Sequence, residues 1–283
     1  MTTITLPAYA KLNLTLDILS KRADGYHDLA MVMQSITLHD DVTVTLTDTD
    51  GIVCRCGTLP GDDSNLAVKA AKAFFVKTGI APRGLAVNIE KHIPMQAGMA
   101  GGSTDAAAVL RALRELLAPE LSTQALEKIG ETVGSDVPYC VRGGTALAKG
   151  RGETLTTLKN APRFHVVVCK PDFPLSTPAL FKRSDAVEFT DRPDTEGMLQ
   201  AIEDSDARGV SARVFNVFEA VLCAEEREVF TIKERLLSLG AATASMTGSG
   251  PTVFGLFTDE SSAKSAHDSL KTDYAQTYLA EFV

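Results

Sequence analysis

Pro94-Met95-Gln96-Ala97-Gly98-Met99-Ala100-Gly101-Gly102-Ser103-Thr104-Asp105-Ala106-Ala107-Ala108 decides the fold. Before it, Leu85-Ala86-Val87-Asn88-Ile89 reads as a strand. After it, Ala107, Leu110, Leu113 and Leu117 recur at helical spacing, with Arg111, Arg114 and Glu115 between them. Strand, glycine-rich turn and helix together aim backbone N–H groups and the positive end of a helix dipole at an anion. Small side chains let that backbone approach closely. Ser103 and Thr104 stand where a helix N-cap is wanted, and their hydroxyls also suit a phosphate oxygen or Mg2+. The stretch reads as a nucleotide-phosphate loop, with a flexible loop before an ordinary capped helix as the alternative for a Gly/Ala stretch taken alone. Two familiar patterns fail on spacing: the Walker loop needs Lys where Gly102 stands, and Gly98, Gly101 and Gly102 do not fit G-x-G-x-x-G.

Working outward, 283 residues suit one large or two medium domains. A hydrophobic fraction of 45% and a charged fraction of 23% are those of a soluble globular chain. The net charge of −8 argues against a nucleic-acid partner gripped through its phosphates. The first residues lack a basic, then apolar, export pattern, and no apolar run approaches the ~20 residues that span a bilayer. Cys54, Cys56, Cys140, Cys169 and Cys223 are odd in number and scattered, which suits reduced thiols and a cytoplasmic location.

Ile4 to Leu19 alternates as a strand, with Ala8, Ala10, Leu12, Leu14 and Leu16 on one face and Tyr9, Lys11, Asn13 and Thr15 on the other. Lys11 and Asn13 are a solvated pair if that second face meets water, and a preorganised polar pair if it meets a cleft. Arg22-Ala23-Asp24-Gly25-Tyr26-His27 is a turn leading into the apolar run Leu29 to Ile36. Val42 to Leu46 is a half-buried strand, with Ile52-Val53 its expected partner. Asp62-Asp63-Ser64-Asn65 caps a helix carrying Leu66, Val68, Ala71, Phe74 and Phe75, and Ser122 starts another through Ile129. Asp136 in Gly134-Ser135-Asp136-Val137-Pro138 is a turn residue on local grounds. Arg142 to Ala148 reads as a strand and Gly150 to Glu153 as a turn.

The C-terminal half opens on a buried strand, Phe164 to Cys169, followed by a proline-rich loop holding Thr177 and Phe181. Residues 185–209 are polar and acidic and carry no assignable chemistry. Asn216 to Glu219 and a helix over Val229 to Leu239 read as structural. Met246-Thr247-Gly248-Ser249-Gly250-Pro251-Thr252 is a turn before the strand Val253 to Phe257. A helix over Ser261 to Leu270 and a strand over Tyr278 to Val283 complete a mixed α/β (α+β) chain.

The glycine-rich stretch resembles the second motif of the GHMP kinases, in the form found in their cytidyl-erythritol kinase branch. Ala10-Lys11-Leu12-Asn13-Leu14, the Tyr26-His27 turn, Gly134 to Pro138 and Gly248-Ser249-Gly250-Pro251 extend that resemblance along nearly the whole chain. The resemblance implies a two-domain GHMP fold: an N-terminal S5-like domain over 1–155 and a C-terminal ferredoxin-like domain over 156–283. It implies ATP-dependent phosphorylation, with Mg2+, of the 2-hydroxyl of 4-diphosphocytidyl-2-C-methyl-D-erythritol in the non-mevalonate route. Partners would be small molecules only, with no nucleic acid or membrane, and the enzyme a monomer or homodimer.

Carried over residue by residue, Lys11 and Asp136 are catalytic and are expected to be neighbours. Residues Pro94, Met95, Gln96, Ala97, Gly98, Met99, Ala100, Gly101, Gly102, Ser103 and Thr104 bind ATP. Asn65 is either a helix cap or a neighbour of the ATP nucleoside. Asn13, Tyr26, His27, Thr177 and Phe181 bind the cytidyl substrate, although Phe181 also suits a core position. Gln96, Ala97 and Ala100 depart from the glycines common in the family. Homoserine kinase, a rival within the family, does not account for Tyr26-His27 and Phe181. A binding module that has lost turnover does not account for Lys11 and Asp136.

Overall fold

The computed structural model describes residues 2–283. Two compact units are assembled from discontinuous segments: residues up to Ala10, His39–Ile93 and Ala100–Gly143 form the first, and Lys11–Leu38, Pro94–Met99 and Gly144–Val283 the second. Strands β1 (Thr3–Lys21) and β2 (His27–Thr47) both run through the division. The sequence-based cut at 155/156 falls within β6 (Thr154–Thr157), inside the second unit.

In the first unit, β4 (Gly84–Glu90) pairs antiparallel with the end of β2, matching Val42 to Ile89, Val44 to Val87 and Leu46 to Leu85. These apolar positions recur every second residue, so one face of each strand is buried. The other edge of β4 is taken by β3 (Ile52–Arg55), which runs parallel to it. Ile52-Val53 therefore does not partner β2 as its sequence position suggests, because β4 already occupies that edge of β2. The two apolar runs separated in sequence, Leu29 to Ile36 and Val42 to Leu46, are one continuous strand. The intervening Asp40 is fully buried and accepts hydrogen bonds from the backbone N–H groups of His92 (2.6 Å) and Ile93 (2.8 Å).

Four helices complete this unit: α1 (Leu66–Thr78), α2 (Gly101–Leu117), α3 (Thr123–Glu131) and α4 (Val137–Arg142). Packing of α2 against α1 and α4 buries the alanines 106–108 with Val109, Leu110 and Leu113. Small side chains allow the helix axes to approach closely. Arg142 belongs to α4, not to a strand, and its guanidinium holds Glu127 through Nε (2.7 Å) and Nη2 (2.9 Å). The strand that follows, β5 (Thr145–Gly150), starts only after Gly143 and Gly144, both at positive φ.

In the second unit, the start of β2 pairs antiparallel with β5, and β5 with β6. Strand β7 (His165–Cys169) follows, then α5 (Thr177–Ser184), α6 (Thr195–Glu203) and α7 (Ala207–Ser211). The two-residue strand β8 (Phe215–Asn216) lies parallel to β1. Two short 3-10 turns (Val217–Val221 and Ala224–Glu226) lead to α8 (Glu228–Ser238), β9 (Thr243–Met246), β10 (Val253–Phe257), α9 (Glu260–Lys271) and β11 (Thr277–Glu281). Strands β7, β9, β10 and β11 form an antiparallel sheet in the order β11-β7-β10-β9. With α8 and α9 as its two connecting helices, this is the ferredoxin-like strand order. Among the described residues, no helix is long and apolar enough to cross a membrane.

Candidate active site

From Ala10 to Ile18 both faces of β1 are buried, which excludes the solvated reading of its polar side. Lys11, Asn13 and Thr15 are 5%, 1% and 0% exposed. Lys11 Nζ donates to Asn13 Oδ1 at 2.5 Å, and Thr15 Oγ1 accepts from Val32 N at 3.1 Å. The strand backbone also secures two glycine-rich segments of the second unit: Lys11 N donates to Met99 O (3.2 Å) and Asn13 N to Thr247 Oγ1 (3.0 Å).

Those two segments touch backbone to backbone. A Cβ on Gly98 would collide with Thr247 O, and one on Gly248 would stand 2.6 Å from Gly98 O and 3.1 Å from Lys11 Nζ. Both glycines have left-handed backbones, φ 70° and 57°. No other residue fits either demand. Asn216 pins the second segment by donating from Nδ2 to Met246 O (2.8 Å) and Gly248 O (2.9 Å). Sequence reading passed over Asn216 as structural, because nothing local marks an asparagine whose acceptors lie 30 residues ahead.

In the first unit, the chain enters α2 through Ala100 at φ 60°, with no side-chain cap. The helix therefore begins at Gly101, and Ser103 and Thr104 lie within its first turn; they are not N-caps as the sequence suggests. The left-handed turn at Ala100 starts the helix three residues earlier than a cap at Ser103 would. Thr104 Oγ1 donates to Tyr9 O at 2.8 Å and is buried. Asn65 caps α1, accepting from Ala67 N (2.9 Å) and donating to Pro60 O (2.9 Å). Asp136 stands at the N-cap position of α4, yet its carboxylate makes no capping bond.

Behind the first turn of α2 lies a charge cluster that sequence reading missed. Lys91 Nζ donates to Asp40 Oδ2 and, at 2.7 Å, to Asp105 Oδ2, while Asp105 Oδ1 is buried without a partner. Burial, reinforced by the Asp40 charge and opposed by Lys91, pushes the Asp105 carboxyl up to about 7. The two carboxylates hold Lys91 above the usual ammonium range despite its burial. Three charges from three separate segments leave no spacing signal in the sequence.

A second polar group occupies the other unit. The His27 ring is 8% exposed and stacks on Phe181, with centroids 4.6 Å apart and planes 16° apart. Phe181 in turn meets Phe218 edge-on at 5.0 Å. Asp185 Oδ1 lies 2.7 Å from His27 Nε2, and Asp185 Oδ2 accepts from Lys21 Nζ at 2.5 Å. These bonds, Lys21 first, hold the Asp185 carboxyl below the usual range. Tyr26 is exposed, with the Arg151 guanidinium 4.7 Å from its ring centre. Thr177, the first residue of α5, shares a 2.6 Å hydroxyl–hydroxyl hydrogen bond with Ser249.

Residues 65–144 match the model of the GHMP kinases N-terminal domain, and residues 198–276 that of the GHMP kinases C-terminal domain. Proteins from Clostridium tetani (42% identical, over 98% of this chain and 99% of the relative) and Lachnoclostridium phytofermentans (43%, over 100% and 98%) are named 4-diphosphocytidyl-2-C-methyl-D-erythritol kinase. A crystal structure of 4-(cytidine 5'-diphospho)-2C-methyl-D-erythritol kinase matches with TM-score 0.85 at 30% identity over 99% of both chains. The chain belongs to the GHMP kinase family. Within that family it groups with the 4-diphosphocytidyl-2-C-methyl-D-erythritol kinases, which are small-molecule kinases. The homoserine kinase of Cytophaga hutchinsonii shares the fold, with TM-score 0.75 at 17% identity.

For this GHMP kinase the departures from glycine take on meaning. Gln96 and Ala100 have left-handed backbones, φ 50° and 60°, although neither is glycine. The Ala97 backbone is not left-handed, so its side chain carries no such strain. The five cysteines are free thiols, and burial pushes Cys54 and Cys169 up to about 11. Neither is an activated nucleophile.

Proposed function

We propose that this chain transfers the γ-phosphoryl group of ATP to the 2-hydroxyl of 4-diphosphocytidyl-2-C-methyl-D-erythritol, on the non-mevalonate route to isoprenoid precursors. The substrate follows from the names of relatives 42% and 43% identical over nearly the whole chain. The chemistry rests on one observation: Lys11, Gly98, Thr247 and Gly248 meet, and Gly98 stands three residues before the start of a helix with no side-chain cap.

Phosphoryl transfer depends on positioning and charge stabilisation more than on covalent help. Backbone N–H groups around residues 94–104 bind the triphosphate, aided by the dipole of α2. Lys11 stabilises the charge that develops on the transferring group, and Asp136 orients the acceptor hydroxyl and takes its proton. The donors suit Mg2+, which takes oxygen ligands: the Ser103 hydroxyl, in the first turn of α2, makes no hydrogen bond to another described residue. Mg2+, when bound, neutralises phosphate charge. Asn65 lies against the ATP nucleoside, while Asn13, Tyr26, His27, Thr177 and Phe181 hold the cytidyl substrate. The enzyme works in the cytoplasm as a monomer or homodimer.

A coupled ATPase assay across candidate acceptors tests the reading: the cytidyl substrate should be the preferred acceptor. Asp136→Asn should lower kcat by about 10²–10⁴-fold while ATP still binds. A variant with near-wild-type kcat at saturating substrates removes Asp136 from the chemistry.

A further inference from the structure

One helix end carries both Phe181 and Asp185. Phe181 lies in α5, and Asp185 is its C-cap residue, one turn later. The first supplies a flat face for the His27 ring, and the second supplies an acceptor for its Nε2 edge at 2.7 Å. Ring plane and ring edge are therefore set together by segments far apart in sequence. With Lys21 as its second partner, the Asp185 carboxyl is held below its ordinary range and is ionised at neutral pH. A carboxylate has no proton to give, so the hydrogen in this bond sits on His27 Nε2. A neutral ring so protonated carries its lone pair on Nδ1. Among the described residues, Nδ1 has no hydrogen-bond partner.

We propose that Asp185 is a specificity-determining positioning residue: it holds His27 in the Nε2–H tautomer, whose Nδ1 lone pair accepts the exocyclic amine of cytosine and repels uracil. The proposal rests on the cytidyl-substrate reading above and assigns a role within a segment, 185–209, that the sequence left without chemistry. The two bases differ at one edge position, where cytosine presents an N–H donor and uracil a carbonyl acceptor. An acceptor nitrogen there makes a hydrogen bond with the first and leaves two lone pairs facing each other with the second. Sites built around one buried hydrogen bond discriminate against analogues that cannot make it. The opposite tautomer would invert the preference.

The test measures the ring and the preference separately. In ¹⁵N-resolved NMR at pH 7.5, His27 should appear as the neutral Nε2–H tautomer and shift toward a mixture in Asp185→Ala. Cytidine 5'-monophosphate should bind wild type roughly 10- to 100-fold more tightly than uridine 5'-monophosphate, the range expected for leaving a buried polar group unmatched. In Asp185→Ala that ratio should fall to within about fivefold, with KM for ATP unchanged. Asp185→Glu, which keeps the carboxylate, should restore part of the ratio. The Asp185 side chain is 28% exposed, and the end of α5 is closed by backbone bonds, so Asp185→Ala should fold normally.

If wild type phosphorylates the cytidyl substrate but Asp185→Ala leaves the base ratio and the His27 tautomer unchanged, the Asp185 role is wrong and the substrate reading survives. A doubly protonated His27 in the complex with cytidine 5'-monophosphate likewise overturns the role alone. If wild type prefers neither cytidine nucleotide nor cytidyl substrate, both fall.

Discussion

The glycine-rich stretch is anchored at its two ends by different physics. Its front, in the second unit, is held by the absence of side chains: Gly98 and Gly248 approach backbone to backbone, and neither tolerates a Cβ. Its rear, in the first unit, is held by charge: Asp105, on the first turns of α2, shares Lys91 with the buried Asp40. The front is insensitive to pH and intolerant of volume. The rear depends on the protonation of one carboxyl.

The largest test of this contrast removes the central charge of the rear. Lys91→Met leaves two carboxylates buried together and should cost about 3–5 kcal/mol in chemical denaturation at pH 8. The loss should shrink as pH falls from 8 toward 7, because without Lys91 the Asp105 carboxyl takes up its proton more readily than in wild type. A loss below about 1 kcal/mol at pH 8 would mean that the cluster is effectively solvated.

Next comes the titration of Asp105 itself. Its folded-state value of about 7 lies above the ordinary 3.8, so the folded chain binds this proton more tightly than the unfolded chain does. The group thus favours folding most at low pH, and that contribution is lost as pH rises from about 4 to about 7. Asp105→Asn cannot titrate, so its stability should lose roughly 2–4 kcal/mol less than wild type over that interval. Parallel curves for the two proteins would show that Asp105 ionises normally.

At the front, Gly248→Ala should cost about 1–3 kcal/mol, combining a left-handed alanine with displacement of the Gly98 carbonyl. The cost should be the same at pH 5 and pH 8, unlike that at Lys91. A rise in KM for ATP should accompany it, and a pH-dependent loss would collapse the distinction between the two ends. The smallest effect is a gain. Ala100→Gly relieves a left-handed backbone at φ 60° and should raise stability by about 0.5–1 kcal/mol with kcat retained. A loss of stability there would mean that the alanine methyl makes contacts worth more than the strain.

What the sequence determined by itself is what lies close along the chain. The alternation of Leu85, Val87 and Ile89, the helical recurrence after Gly101 and the caps at Asn65 and Ser122 depend on neighbours within a few residues, and each appears where its pattern places it. The glycine motifs were legible for the same reason, since a left-handed or close-packed backbone restricts residue type locally.

Tertiary structure decided what depends on partners distant in sequence. It buried both faces of β1, so that Lys11 and Asn13 became an interior pair. It joined two apolar runs into one strand through Asp40, gave β3 to β4 instead of β2, and moved the start of α2 ahead of Ser103 by a left-handed Ala100. Asp40 with Lys91 and Asp105, and His27 with Phe181 and Asp185, are each assembled from segments with no common period. Hydrophobic periodicity determines which face of an element is buried; which buried charge meets which is decided only when the elements pack, because the cost of an unpaired charge is felt only once water has been excluded.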